Sequence, residues 1–170
     1  MSQLPRIIKT KVYLPAYLKA YYKYENARCN YIRKVIQISI DTYLRQNRFD
    51  VSKLRIDATD TNQTKQKHYI EITYPPRKSR EEQSKSKVMH VVLPNRLTSL
   101  IVSLIKDAFY RDMLLIVNVQ ETRKIDIDEA ICQFFSRFGI TEEMYTISSA
   151  RRQYYRVKNR YKDEHGAILV

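Results

Sequence analysis

The chain has 170 residues and a mass of 20.4 kDa, and its 44% hydrophobic content can build a core for one compact domain or one domain with a helical appendage, which excludes overall disorder. Its 31 Lys and Arg against 18 Asp and Glu give a net charge of +13 and a pI near 9.7, and such a surface attracts phosphate-bearing polyanions within the reach set by salt screening. Gly139 and Gly166 are the only glycines, so no glycine-rich phosphate loop or dinucleotide fingerprint can be written, and a nucleotide-hydrolysing motor is excluded.

The opening "MSQLPRIIKTK" lacks the apolar run of a signal peptide, and the sequence has no apolar stretch long enough for a membrane span. Residues 6–15, "RIIKTKVYLP", are rich in β-branched types and predict a short strand that stops at Pro15, which then sits in the first turn of a helix. Leu18, Tyr22, Cys29, Ile32, Ile36, Ile40 and Tyr43 recur at spacings of three, four or seven, a helical stripe ending near "RQNRFD". A break near Asn26 would divide it into two helices. Tyr17, Tyr21, Tyr22, Tyr24 and Tyr31 exceed what one helix face can bury, and tyrosine, with an apolar ring and a polar tip, suits a half-wet interface.

Residues 53–93 change character. "KLRIDA", "HYIEITY" and "VMHVVLP" concentrate β-formers between polar linkers and predict three short antiparallel strands. Before the last of these, "PPRKSREEQSKSK", residues 75–87, opens with two prolines and has no apolar residue until Val88, so it reads as a loop or hairpin tip. Its Arg77, Lys78, Arg80, Lys85 and Lys87 outnumber Glu81 and Glu82, which makes it either a solvated loop or a basic arm that tracks phosphates.

In "RLTSLIVSLIKDAFYRDMLL", Leu97, Leu100, Ile101, Leu104, Ile105, Ala108 and Phe109 form an unbroken helical stripe, the expected organiser of the core. "LLIVNVQ", residues 114–120, fits either an extension of that helix or a strand; a strand or irregular link is the expectation. Asp126 with Glu129 begins another helix, whose Ile127, Ala130, Ile131, Phe134, Phe135 and Phe138 share one face and whose stop is Gly139. Thr141 is a candidate cap for a following helix, which begins either at Glu142 or only after Ser148. Cys29 and Cys132 lie far apart in apolar helical patterns, so both are expected to be reduced and buried.

The string "FFSRFGITEEMYTISSARRQYYR" resembles a helix-turn-helix: a helix closed by glycine, an apolar residue, a Thr cap and a second helix carrying basic residues. The resemblance spans roughly residues 126–162. It implies DNA binding through the second helix, pairing of two copies on half-sites, and a place among regulators or accessory proteins of phages and mobile elements. The expected homodimer interface is the Tyr-rich first helix or the stripe of residues 97–109.

The charge distribution agrees with that placement. Residues 96–147 carry six basic against eight acidic side chains, whereas residues 148–170 carry six against two. A basic element following an acidic scaffold is the expected footprint of a phosphate-facing helix. Met144, Ile147, Ala150, Tyr154, Val157 and Tyr161 recur at three or four, giving the last helix a packing face. Left outward are Arg151, Arg152, Tyr155, Arg156, Lys158, Asn159, Arg160 and Lys162. Arg151, Arg152 and Arg156 offer planar forks for guanine edges or phosphate oxygens, Lys158, Arg160 and Lys162 are candidate phosphate anchors, and Asn159 is a candidate adenine reader.

Signs of catalysis are few. His68, His90 and His165 stand in different segments with no metal-ligand spacing to either cysteine, and no nucleophile lies beside a histidine in a recognisable turn. Asp57, Asp60 and Glu71 are the candidate carboxylates of a metal-dependent nuclease, the one enzymatic alternative. The expected fold class is α+β: amino-terminal helices with a small antiparallel sheet, then a carboxyl-terminal helical unit resembling a helix-turn-helix, divided as residues 1–95 and 96–170 or folded as one compact domain. The expected function is nucleic-acid binding without catalysis, cofactor, metal or small-molecule substrate, with duplex DNA favoured. The alternatives are a structural or interaction protein of a phage particle or nucleoprotein assembly, and a single-strand binder whose tyrosines stack on bases. The expected location is cytoplasmic, nucleoid-associated in a bacterial host, with no secretion and no membrane partner.

Overall fold

The computed structural model describes residues 6–28, 30–46, 68–74 and 87–165. Its elements, in chain order, are β1 (Arg6–Tyr13), α1 (Ala16–Arg28), α2 (Tyr31–Gln46), β2 (Tyr69–Tyr74), β3 (Lys87–His90), α3 (Asn95–Thr122), α4 (Ile127–Phe138) and α5 (Ile147–His165). The fold is α+β, with a small amino-terminal sheet among helices. The chain divides into two compact units, Met1–Leu14 with Asn30–Ser103, and Pro15–Cys29 with Leu104–Val170. The division falls inside α3, and α1 belongs to the same unit as α4 and α5.

In the first unit the sheet order is β2-β1-β3. β1 pairs antiparallel with β2, Val12 opposite Ile70 and Thr10 opposite Ile72, and pairs parallel with β3, Lys9 beside His90. The sheet is therefore mixed, a correction to the all-antiparallel arrangement expected from composition. β-propensity marks which residues form strands, but not which edge of β1 a strand takes or in which direction it runs. "KLRIDA", residues 53–58, lies outside the described residues. Alternation along β1 and β2 sends Val12, Ile70 and Ile72 into the core, where Ile32, Ile36 and Ile40 of α2 are also buried. The Tyr74 hydroxyl donates to Asp41 Oδ1 at 2.7 Å, tying β2 to α2. Asn30, at φ 53°, makes the break before α2, a few residues later than Asn26; asparagine tolerates this left-handed conformation better than most residues.

The second unit is organised by aromatic rings. Phe109 of α3 meets Tyr17 and Tyr21 of α1 edge-on at 5.1 and 5.3 Å and Phe134 of α4 at 5.4 Å, while Phe138 lies 4.7 Å from Phe134 and 5.0 Å from Tyr21. Buried Tyr21 donates to Asp112 Oδ2 at 2.7 Å; burial, with that bond, pushes its pKa well above the ordinary phenol range. Tyr24 and Tyr31 stay exposed.

α3 continues through residues 114–120, a correction to the strand or irregular link expected there. Phe109, Met113 and Val117 are all enclosed, so the i, i+4 line carries on and the packing of one helical face outweighs the β-branched composition. Leu97, Ile101, Ile105 and Phe109 are likewise enclosed within their own chain, whereas Leu100 of the same stripe is exposed.

α4 is bounded by local chemistry. Asp126 Oδ1 accepts from the amides of Asp128 at 2.9 Å and Glu129 at 3.4 Å, and the Ile140 amide donates back to the Phe135 carbonyl at 2.9 Å around Gly139, which takes φ 65° and ψ 33°. A Cβ built on Gly139 would meet nothing within 4 Å, so only its backbone conformation requires glycine. Gly139→Ala is therefore expected to cost about 1 kcal/mol and lower Tm by roughly 2–4 °C, read by thermal denaturation. Cys132 of α4 is exposed, a correction to its expected burial, and Cys29 lies outside the described residues.

Candidate nucleic-acid interface

α5 starts at Ile147, where Thr146 Oγ1 accepts from the Ser149 amide at 3.3 Å. Thr141, the candidate cap, instead lends its carbonyl to the amides of Met144 and Tyr145, closing a separate turn. Residues 139–146 therefore connect α4 to α5, longer than the turn of about three or four residues in a helix-turn-helix. α5 packs against α4, and its Ala150 and Tyr154 are fully enclosed. Met144 and Tyr161, placed on the packing face by their spacing, are partly exposed.

A polar joint holds the same side of this helix further along. Glu121 Oε2, near the end of α3, accepts both the Tyr154 hydroxyl and Lys158 Nζ. Those two bonds, the Lys158 bond foremost, hold the Glu121 carboxyl below its ordinary value of 4.5. Burial, foremost, together with the same carboxylate, pushes the Tyr154 phenol well above its usual range. Lys158 thus faces the fold, with its side chain only 15% exposed, a correction to its placement among the outward phosphate anchors. It lies one turn beyond Tyr154, at the rim of the apolar face, where the stem of a long side chain packs while its head reaches a carboxylate. Arg151 is partly committed too: its Nη1 lies 2.9 Å from Asp128 Oδ2 in the first turn of α4.

The folded-state pKa of Glu121 is depressed, so its joint stabilises the fold above pH 4.5, and that contribution is lost as pH falls through the lowered value. In Glu121→Gln the contribution is absent throughout. The Tm advantage of the wild-type chain over Glu121→Gln is therefore expected to be full near neutrality and to shrink on acidification below that value; an advantage that stays constant to low pH would contradict the assignment.

The remaining residues form the outward face. Arg152, Tyr155, Arg156, Asn159, Arg160 and Lys162 are all exposed. Arg152, Tyr155, Arg156 and Asn159 follow i, i+3, i+4, i+7 spacing and so line one strip of the helix. Arg152, Arg156 and Arg160 also stand in a row at i, i+4, where like charges destabilise a helix by about 0.2–0.5 kcal/mol per pair. Among the described residues none of these three has an ion-pair partner. The arrangement can grip a row of phosphates, with Tyr155 and Asn159 between the cations.

The loop cations Arg77, Lys78, Arg80 and Lys85 lie outside the described residues, and Lys87 begins β3, its backbone paired with Arg6. Of the nuclease carboxylates, Asp57 and Asp60 also lie outside them, while Glu71 is paired with Lys9 at 3.0 Å. Sequence reasoning missed the partners Glu121 and Asp128, which no local pattern joins to α5. It also missed the outer side of the sheet, where Lys9, Lys11 and Tyr13 alternate with the inward Thr10 and Val12; that alternation was the available signal. Among the described residues, no helix is long and apolar enough to cross a membrane. Comparisons with protein-family models, curated proteins and solved structures find no match for this chain.

Proposed function

We propose that this chain binds nucleic acid, duplex DNA in preference, along the outward strip of α5. The observation that carries this reading is the row Arg152, Arg156 and Arg160: a docked helix that repeats one charge along its exposed side, with no ion pair to it among the described residues, opposes its own folding. A row of phosphates reverses the sign of that repulsion. Tyr155 and Asn159 add a ring and an amide to the same strip. Arg151 serves at its border by exchanging Asp128 for phosphate, and Lys158 serves by holding the helix in place. The role of regulator or accessory protein of a phage or mobile element is supported by the helix-turn-helix likeness alone.

Fluorescence anisotropy with a labelled random duplex over a salt series tests the proposal. Tight binding whose logarithm falls steeply with the logarithm of salt concentration is expected; no binding at moderate salt would overturn it. A second reading, a structural protein of an assembly, draws on the exposed Leu115 and Val119, one turn apart on α3, and on Tyr31 and Ile38 on α2. Its expected signature is a defined oligomer in light scattering together with little duplex affinity.

A further inference from the structure

The sheet of the first unit has a second side. Thr10, Val12, Ile70 and Ile72 turn inward, and the alternation brings Lys9, Lys11 and Tyr13 of β1 and Tyr69, Glu71 and Thr73 of β2 together on the other side. Tyr13 and Tyr69 are directly opposite each other across the two strands, their rings 5.9 Å apart in an edge contact. Tyr69 keeps 39% of its surface in water. Lys11 Nζ stands 5.1 Å from the Tyr69 ring centroid, and Lys9 is two residues further along the same strand, paired with Glu71 at 3.0 Å.

We propose that this side of the sheet is a second nucleic-acid site, separate from α5, and that it takes single-stranded DNA or RNA. Unpaired bases stack on the Tyr13 and Tyr69 pair while Lys11 and Lys9 take the phosphates that follow along β1. Rings beside cations are the two components of single-strand recognition, a stacking surface and a positive track. A duplex cannot use the rings, because its bases are already stacked on one another and present only their edges in the grooves. The row of arginines on α5 has the opposite character, rich in charge and with one ring. Two contacts oppose the site: Lys11 must move off the Tyr69 ring, over which its ammonium lies, and Lys9 must leave the Glu71 carboxylate to meet a phosphate. That competition gives the proposal a signed test, because removing the carboxylate charge should tighten binding.

The experiment measures anisotropy of the full chain with labelled oligothymidine, labelled oligouridine and a labelled hairpin duplex, with circular dichroism checking that each variant folds. Tyr69→Leu, which keeps an apolar side chain and removes the ring, is expected to weaken single-strand binding about fivefold or more and to leave hairpin binding unchanged. Glu71→Gln is expected to tighten single-strand binding. Arg152→Ala with Arg156→Ala is expected to reduce hairpin binding while single-strand binding persists, so failure of the α5 reading and failure of this one are distinguishable. The thymidine and uridine arms show whether DNA, RNA or both are accepted. Absence of single-strand binding by the wild-type chain, or equal single-strand affinity in wild type and a folded Tyr69→Leu, would overturn the proposal.

Discussion

Replacing Arg152 and Arg156 together by alanine is expected to lower duplex affinity about tenfold or more and to make the slope of log affinity against log salt shallower by about 1.8, at about 0.9 for each phosphate contact removed. The two side chains are exposed, with no ion pair among the described residues, and stand one turn apart, so their removal empties no core position. It relieves a like-charge contact and substitutes alanine, the best helix former, so Tm should stay level or rise. This combination, weaker binding with undiminished stability, distinguishes a ligand-facing pair from a structural one. The salt series adds a count that one affinity cannot supply: an unchanged slope with weaker binding would mean that the arginines touch bases rather than phosphates. Unchanged affinity would remove α5 from the interface.

Lys158→Ala should behave in the opposite way, although it lies on the same helix and carries the same charge. Its ammonium is occupied by Glu121, and truncating it takes one of two donors from a partly buried carboxylate. A loss of about 1–3 kcal/mol in stability is expected, with a change in the salt slope well below 0.9. α5 thus divides its cations by position: Lys158, near the Ala150 and Tyr154 face, is tied to the fold, and Arg152, Arg156 and Arg160 are exposed.

How far the sequence disclosed this depends on the distance over which each determinant acts. The bounds of α4 were legible because Asp126 and Gly139 act on amides and carbonyls within the same turn. The packing face of α5 was legible at Ala150 and Tyr154, where an i, i+4 pair suffices. The start of α5 stayed open between Glu142 and a point after Ser148 because Thr141 and Thr146 are both competent caps, and which one starts the helix depends on how the turn between them closes. The inward turn of Lys158 was not legible, because Glu121 reaches it from another helix and helical spacing alone puts the lysine at the border between faces. The mixed sheet escaped for a related reason: whether β3 runs parallel or antiparallel to β1 is a property of chain path, and alternation is the same in either direction. For residues 114–120 composition and packing point opposite ways, and the enclosed Val117, one turn after Met113, shows that packing prevails.

Phe134→Ala is expected to cost more stability than any of the capping or surface substitutions above, about 3–5 kcal/mol and thus a fall in Tm of roughly 6–20 °C. The ring is fully enclosed and contacts Phe109 of α3 and both Phe135 and Phe138 of its own helix, so three aromatic neighbours lose a partner at once. Little can collapse into the gap: Phe109 is also held by Tyr17 and Tyr21, and Tyr21 is fixed by Asp112. Tyr154→Phe is the control, keeping the ring and removing one hydrogen bond, with an expected loss of about 1 kcal/mol. The consequence for binding is indirect. Phe134 is buried on α4, the helix against which α5 packs, so a folded Phe134→Ala chain should hold duplex DNA with the wild-type salt slope and lose affinity only as its folded fraction falls on warming. Measuring slope and Tm together separates this from the arginine pair, for which the slope changes and Tm does not fall. A wild-type Tm in Phe134→Ala would show that the phenylalanine cluster does not hold the second unit together.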